Sequence, residues 1–110
     1  MTTKASASVH VTERTFDGVV TSERPVVIDF WAPWCGPCRV LGPVLEQVAA
    51  ERGEQVTIGK VNVDEEPSLA GRFGIRSIPT LLFFKDGALR ETLVGAVPKA
   101  EILKRLDALR

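Results

Sequence analysis

One junction constrains this chain more than anything else in it. Residues 26–31, Val-Val-Ile-Asp-Phe-Trp, are an apolar run rich in β-branched and aromatic side chains. Such a run reads as a strand buried on both faces. Ala32-Pro33-Trp34-Cys35-Gly36-Pro37-Cys38 follows at once. Val40, Leu41, Val44, Leu45 and Val48 then recur at helical spacing up to Arg52, and Gly53 supplies the stop. A buried strand that turns directly into a long helix belongs in a layered α/β domain. Both cysteines of the chain stand at that turn.

The flanking segments extend the pattern. Residues 9–11 predict a short first strand, and 12–20 a helix with Thr12 as its N-cap. Residues 56–63 alternate through Ile58, Val61 and Val63, as a strand does. Residues 67–73 predict a short helix with Leu69 and Phe73 on one side, and 80–84 predict another strand. Asp86-Gly87 is a strong hairpin signal, with 88–94 as the partner strand. Pro98 suits the first position of a last helix carrying Ile102, Leu103, Leu106 and Leu109. Pro43 falls inside the long helix and predicts a kink. The order β-α-β-α-β-α-β-β-α predicts an α/β fold with a central mixed five-stranded sheet flanked by four helices. The 110 residues suit one domain. Residues 9–110 are expected to form it, and 1–8, small and polar, to form a flexible tail.

Charge and hydropathy exclude several classes. Fourteen basic and fourteen acidic side chains cancel, so nothing draws the chain to nucleic acid or to an anionic membrane. No run approaches the ~18 apolar residues of a membrane helix, and no targeting segment is visible. A cytoplasmic location is the expectation, and structural disulfides are rare there.

Three uses of the cysteine pair compete. A structural bridge across so short a loop would contribute roughly 2 kcal/mol, against ~3 for a fifteen-residue loop. Strained, exposed bridges tend to be the labile ones. A structural zinc site needs four ligands, and the chain offers Cys35, Cys38 and the distant His10, so no metal is expected. Redox chemistry is the third use. Cys35 falls near the N-cap of the helix, where unpaired N–H groups favour a thiolate. Cys38 lies one turn on, at ~5–6 Å, within reach of a disulfide. An exposed, activated thiol with a second thiol beside it can run reversible dithiol–disulfide exchange. Lowering a thiol pKa from ~8.5 to neutrality raises the thiolate roughly sixteen-fold, but falling nucleophilicity leaves a gain of only ~3-fold. Placing Cys38 inside the same turn contributes more, through effective molarity.

The run Asp29-Phe30-Trp31-Ala32-Pro33-Trp34-Cys35-Gly36-Pro37-Cys38 resembles the active-site signature of the thioredoxin family. Pro43, Lys60, Ile78-Pro79-Thr80 and Val94-Gly95-Ala96 extend the resemblance over nearly the whole chain. It implies the thioredoxin fold and a protein-disulfide reductase. Cys35 matches the attacking nucleophile and Cys38 the resolving thiol. Gly36-Pro37 matches the reducing members, whereas isomerases and oxidants usually carry a His there.

From the residues alone, Asp29 is either a buried carboxylate or one turned to solvent at the strand end. Lys60 is either its partner or an exposed strand lysine. The resemblance implies that Asp29 accepts the proton of Cys38 through water and that Lys60 tempers it. It also implies a cis bond at Ile78–Pro79, where the residues alone favour trans. Trp34, Ile78, Pro79, Val94, Gly95 and Ala96 would form a flat apolar collar for substrates, core burial being the alternative for Val94. Trp31 reads as scaffold. Ser77 replaces the glycine that many members carry, which bears on substrate range. His10 matches no role. The implied partners are disulfide-containing target proteins and a thioredoxin reductase, commonly an NADPH-dependent flavoprotein; the protein is expected to be a monomer without a bound cofactor. Two other readings are a redox-independent binding subunit or holdase, and a dedicated reductant for one partner.

Overall fold

The computed structural model describes residues 7–109. Five strands, β1 (Val9–His10), β2 (Val26–Trp31), β3 (Thr57–Asn62), β4 (Thr80–Lys85) and β5 (Ala88–Val94), form one sheet in the order β1-β3-β2-β4-β5. β1 and β2 run parallel to β3, whereas β4 runs antiparallel to β2 and to β5. Four helices cover it: α1 (Phe16–Val20), α2 (Gly36–Arg52), α3 (Pro67–Arg72) and α4 (Lys99–Asp107). The mixed α/β architecture expected from the element order is the one observed.

Strand alternation divides the core in two. Val27, Ile58, Leu81 and Phe83 face α2 and α4, packing on Leu41, Leu45, Val48, Ile102 and Leu106. Val26, Ile28, Phe30, Val61, Leu82 and Phe84 face the other way, onto Phe16, Val20 and Leu69 of α1 and α3. Successive strand side chains point to opposite faces, so both faces are covered and β2 has no polar side except Asp29. Asp29 shares its face with Val27, and so points to the side of the sheet that α2 covers.

Two helix starts differ from the sequence expectation. Thr12 is not the cap of α1. Its amide donates to the Thr15 hydroxyl oxygen at 3.0 Å, and its carbonyl accepts from the amides of Thr15 and Phe16 at 3.1 and 2.9 Å, so 12–15 form a turn. Such local side-chain bonds compete with helix, which starts only at Phe16. Pro98 is the N-cap of α4 rather than its first residue; its ψ of 151° is extended, and its carbonyl receives the amides of Glu101 and Ile102. At the front of the chain, Ala7 and Ser8, assigned to the tail by sequence, both donate to the carboxylate of Glu46 on α2. The remainder of the expected tail lies outside the described residues. The 86–87 turn follows the sequence signal: Asp86 and Gly87 take φ of 55° and 80°, which matches the twist of a two-residue hairpin.

Candidate active site

The end of β2 and the start of α2 hold the cysteines. Cys35 is the N-cap of the 17-residue α2, with extended backbone, and its sulfur accepts the amide of Cys38 at 3.2 Å. That is the position at which a cap satisfies the third amide of a helix. Pro37 has no N–H to offer, so the Cys38 amide is the donor turned to the sulfur. Cys35 and Cys38 are joined as a disulfide with Cα atoms 5.3 Å apart, within the range expected for one helical turn. Further along α2, Pro43 leaves the Arg39 carbonyl without its usual partner.

Exposure differs from the expectation. Cys35 is 5% exposed and Cys38 4%, so in the disulfide form both are buried and exposure does not tell them apart. What separates them is position. Cys35 sits at the helix start with its sulfur 3.8 Å from the carbonyl oxygen of Ile78. Cys38 lies inside the first turn and lines a groove with Trp31, Pro43, Glu46 and Lys60.

Ile78 and Pro79 are joined by a cis bond, and the loop is tied to the next strand by the Gly95 amide, which donates to the Pro79 carbonyl at 2.8 Å. The collar is less uniform than the sequence suggests. Pro79 is buried and Ile78 and Gly95 are half-buried, while Trp34, Val94 and Ala96 are exposed. Val94 is 58% exposed, so it is surface rather than core. Gly95 adopts φ of 97°, a conformation that side-chain-bearing residues rarely take.

Behind the cysteines, Asp29 is fully buried, and neither of its carboxylate oxygens has a hydrogen-bond partner. Burial raises its pKa to about 7, against a smaller lowering by Lys60. Asp29 and Lys60 are register partners across β2 and β3. Lys60 Nζ lies 4.8 Å from the Trp31 ring centroid, and an added side chain at Gly42 would come within 3.7 Å of it. Lys60 is thus half-buried beneath α2, in the groove that reaches Cys38. No direct hydrogen bond links Asp29 to Cys38.

Two residues escaped sequence reasoning. Trp34 is 68% exposed, yet its indole N–H donates to Asp64 Oδ2 at 2.9 Å. The amide of Asp64 in turn donates to the Asn62 side chain at 2.9 Å, and the Asn62 carbonyl accepts from Glu65 and Glu66. Asn62 is buried at the end of β3, so the turn it organises carries the acceptor that orients Trp34. A polar residue at a strand end followed two positions later by a carboxylate was the only available signal. His10 Nε2 lies 3.7 Å from Glu65 Oε1, with both side chains exposed. Among the described residues no group of three or more His, Cys, Asp or Glu could hold a metal ion.

Comparisons with known proteins agree with this geometry. The thioredoxin family model matches residues 7–108. Thioredoxin 1 of Synechococcus elongatus is 52% identical over 93% of this chain and 96% of its own. The chloroplastic M-type thioredoxin of Chlamydomonas reinhardtii is 49% identical over 88% of this chain and 70% of its own. The crystal structure of Malassezia sympodialis thioredoxin superimposes with a TM-score of 0.85 at 35% identity, covering 99% of this chain and 96% of that one. With a family match over nearly its whole length and its two cysteines bridged at the start of α2, this chain belongs to the thioredoxin family and is a thiol–disulfide oxidoreductase that reduces protein disulfides.

Proposed function

We propose that Cys35 is the attacking thiol and Cys38 the resolving one. The observation that carries this assignment is the capping geometry: the sulfur of Cys35, and not that of Cys38, receives a helix N-terminal amide. An anion at that position is favoured by the donor and by the helix dipole. The Cys35 thiolate attacks one sulfur of a target disulfide, forming a mixed disulfide and expelling the other target sulfur as thiolate. Cys38 gives its proton to Asp29 through water and attacks the Cys35 sulfur. The second target sulfur leaves as thiolate, and two electrons have passed to the target while Cys35 and Cys38 become a disulfide.

Asp29 is suited to this step because burial brings its pKa to about 7, so that near neutral pH it can both take up and release a proton. Lys60, on the neighbouring strand, keeps the carboxylate from rising further. Ile78, whose carbonyl lies 3.8 Å from the Cys35 sulfur, receives the substrate backbone together with Trp34, Pro79, Val94, Gly95 and Ala96, with Gly36-Pro37 shaping the turn. A reductase partner recharges the disulfide; an NADPH-dependent flavoprotein thioredoxin reductase is the partner the family implies. The protein works as a monomer in the cytoplasm, without a resident cofactor. Relatives in chloroplasts carry the same domain, so location is read from fractionation. Among the described residues no helix is long and apolar enough to cross a membrane.

The test is reduction of insulin with NADPH and a recycling thioredoxin reductase. Turnover is expected, and its loss in Cys35→Ser with Cys38→Ser. If that double variant keeps the protein's biological effect, the role as a redox-independent binding subunit or holdase replaces this one.

A further inference from the structure

A second recess opens beside the collar, on the face of the sheet that α1 and α3 leave uncovered at β5. It is lined by Phe73, Ile75, Arg76, Ser77, Leu89 and Val94, among others. Three features make it more than an ordinary surface dent. It is continuous with the site, because Ser77 and Val94 border both the recess and the loop that faces Cys35. It is apolar at its outer wall, where Leu89 is 46% and Val94 58% exposed on the edge strand. Thr92 lies between them on the same face, and large apolar side chains left this open around one recess mark contact surfaces more often than isolated ones do. Finally, Arg76 at its rim is exposed and makes no ion pair among the described residues, whereas Arg72, four residues earlier at the end of α3, is held by Asp17.

We infer that this recess binds the segment of the target polypeptide flanking its disulfide, and that it favours an apolar side chain followed by an acidic one. An extended segment seated against Ile78 and Pro79 that continues past Ser77 and Val94 runs directly over the recess. An apolar side chain then covers Leu89 and Ile75, and a carboxylate meets the unpaired guanidinium of Arg76. The Ser77 side chain stands at the entrance, so the chain's departure from glycine there is part of the same selection. This inference rests on the disulfide-reductase assignment and adds a substrate preference to it.

Synthetic peptides with one common cyclic disulfide test it. Each carries a Leu-Glu, Leu-Lys or Gly-Ser flank, placed on either end in separate peptides, and hydroxyethyl disulfide serves as a substrate without any flank. In one of the two orientations, kcat/KM for the Leu-Glu peptide is expected to exceed that of the Gly-Ser peptide about fivefold, the scale of one surface ion pair plus a partly covered side chain. Arg76→Glu should transfer the preference to Leu-Lys, and Leu89→Ser should bring the Leu-flanked peptides down towards Gly-Ser. Hydroxyethyl disulfide should react within about twofold in all three proteins, since it does not reach the recess. Equal rates for all flanks in both orientations, or a preference that Arg76→Glu leaves unchanged, would overturn the recess as a binding site. Failure to reduce hydroxyethyl disulfide at all would instead overturn the reductase assignment, and the inference with it.

Discussion

Asp29 and Lys60 stand opposite each other on the parallel strands β2 and β3, the carboxylate fully buried and without a hydrogen-bond partner, the ammonium half-buried under α2. A carboxyl in that position holds its proton to about pH 7, chiefly because burial penalises the anion. The folded chain therefore binds a proton between about pH 4 and 7 that the unfolded chain has released. Stability falls as pH rises through that window and levels off above it. Over the full window the loss is on the order of 4 kcal/mol. Asp29→Asn removes the ionisation while keeping the shape. Urea unfolding at pH 4.5 and pH 8 should show the variant gaining about 2–4 kcal/mol on the wild type at the higher pH. A wild type and variant separated by the same amount at both values would contradict the buried, raised carboxyl.

The same carboxyl sets a kinetic expectation. Single-turnover reduction by the wild type should show an inflection near pH 7 at the step that deprotonates Cys38, and Asp29→Asn should slow that step and lose the inflection. Lys60→Met removes the influence that lowers the Asp29 pKa, so the inflection should move to higher pH. Identical rates for Asp29→Asn and wild type from pH 6 to 9 would take Asp29 out of the mechanism.

Trp34 is oriented through a relay of two hydrogen bonds, from its indole to Asp64 and from the Asp64 amide to Asn62. Asn62→Ala leaves the Asp64 amide without its acceptor, at a cost of about 1–2 kcal/mol in stability. Its clearer effect should be on substrate handling. KM for insulin should rise several-fold, with the rate on a small disulfide held and the tryptophan fluorescence response to reduction altered. Asn62→Asp keeps an acceptor at that position and should restore the insulin KM. If insulin and the small disulfide slow together and Asn62→Asp restores neither, the relay does not act through Trp34.

Gly59 tests the packing behind the site. A side chain there would approach Val11 Cγ2 to 2.8 Å and Ile28 Cδ1 to 2.9 Å, and both neighbours are fully buried. The isoleucine methyl can turn, but the β-branched Val11 is stiff. Gly59→Ala should cost about 1–3 kcal/mol by urea unfolding. An unchanged midpoint would mean that β1 can move away from β3 without loss.

What the sequence made legible follows a physical divide. Local patterns survived translation into structure: the run at 26–31 became the covered central strand, the Asp86-Gly87 pair became a hairpin, and Gly53 closed α2. Each is decided by neighbours a few residues away. Burial of Cys35 and Pro79, exposure of Val94, and the meeting of Trp34 with Asp64 depend on segments distant in the chain, which leave no periodic trace. The start of α1 was missed for a different reason: two threonines three apart bond to each other, and the resulting turn displaces the helix that Thr12 alone would cap.

The most direct test of the account compares the two cysteines singly. Cys38→Ser keeps the capped thiol but removes the resolving one, since a serine hydroxyl without a base is a poor nucleophile. Exposed to disulfide-containing proteins, it should accumulate mixed disulfides that persist until external thiol is added and that mass spectrometry maps to Cys35. Cys35→Ser should trap almost nothing, because the remaining thiol lies inside the helix turn rather than at its cap. Equal trapping by both variants, or trapping by Cys35→Ser alone, would contradict the assignment of Cys35 as the attacking thiol.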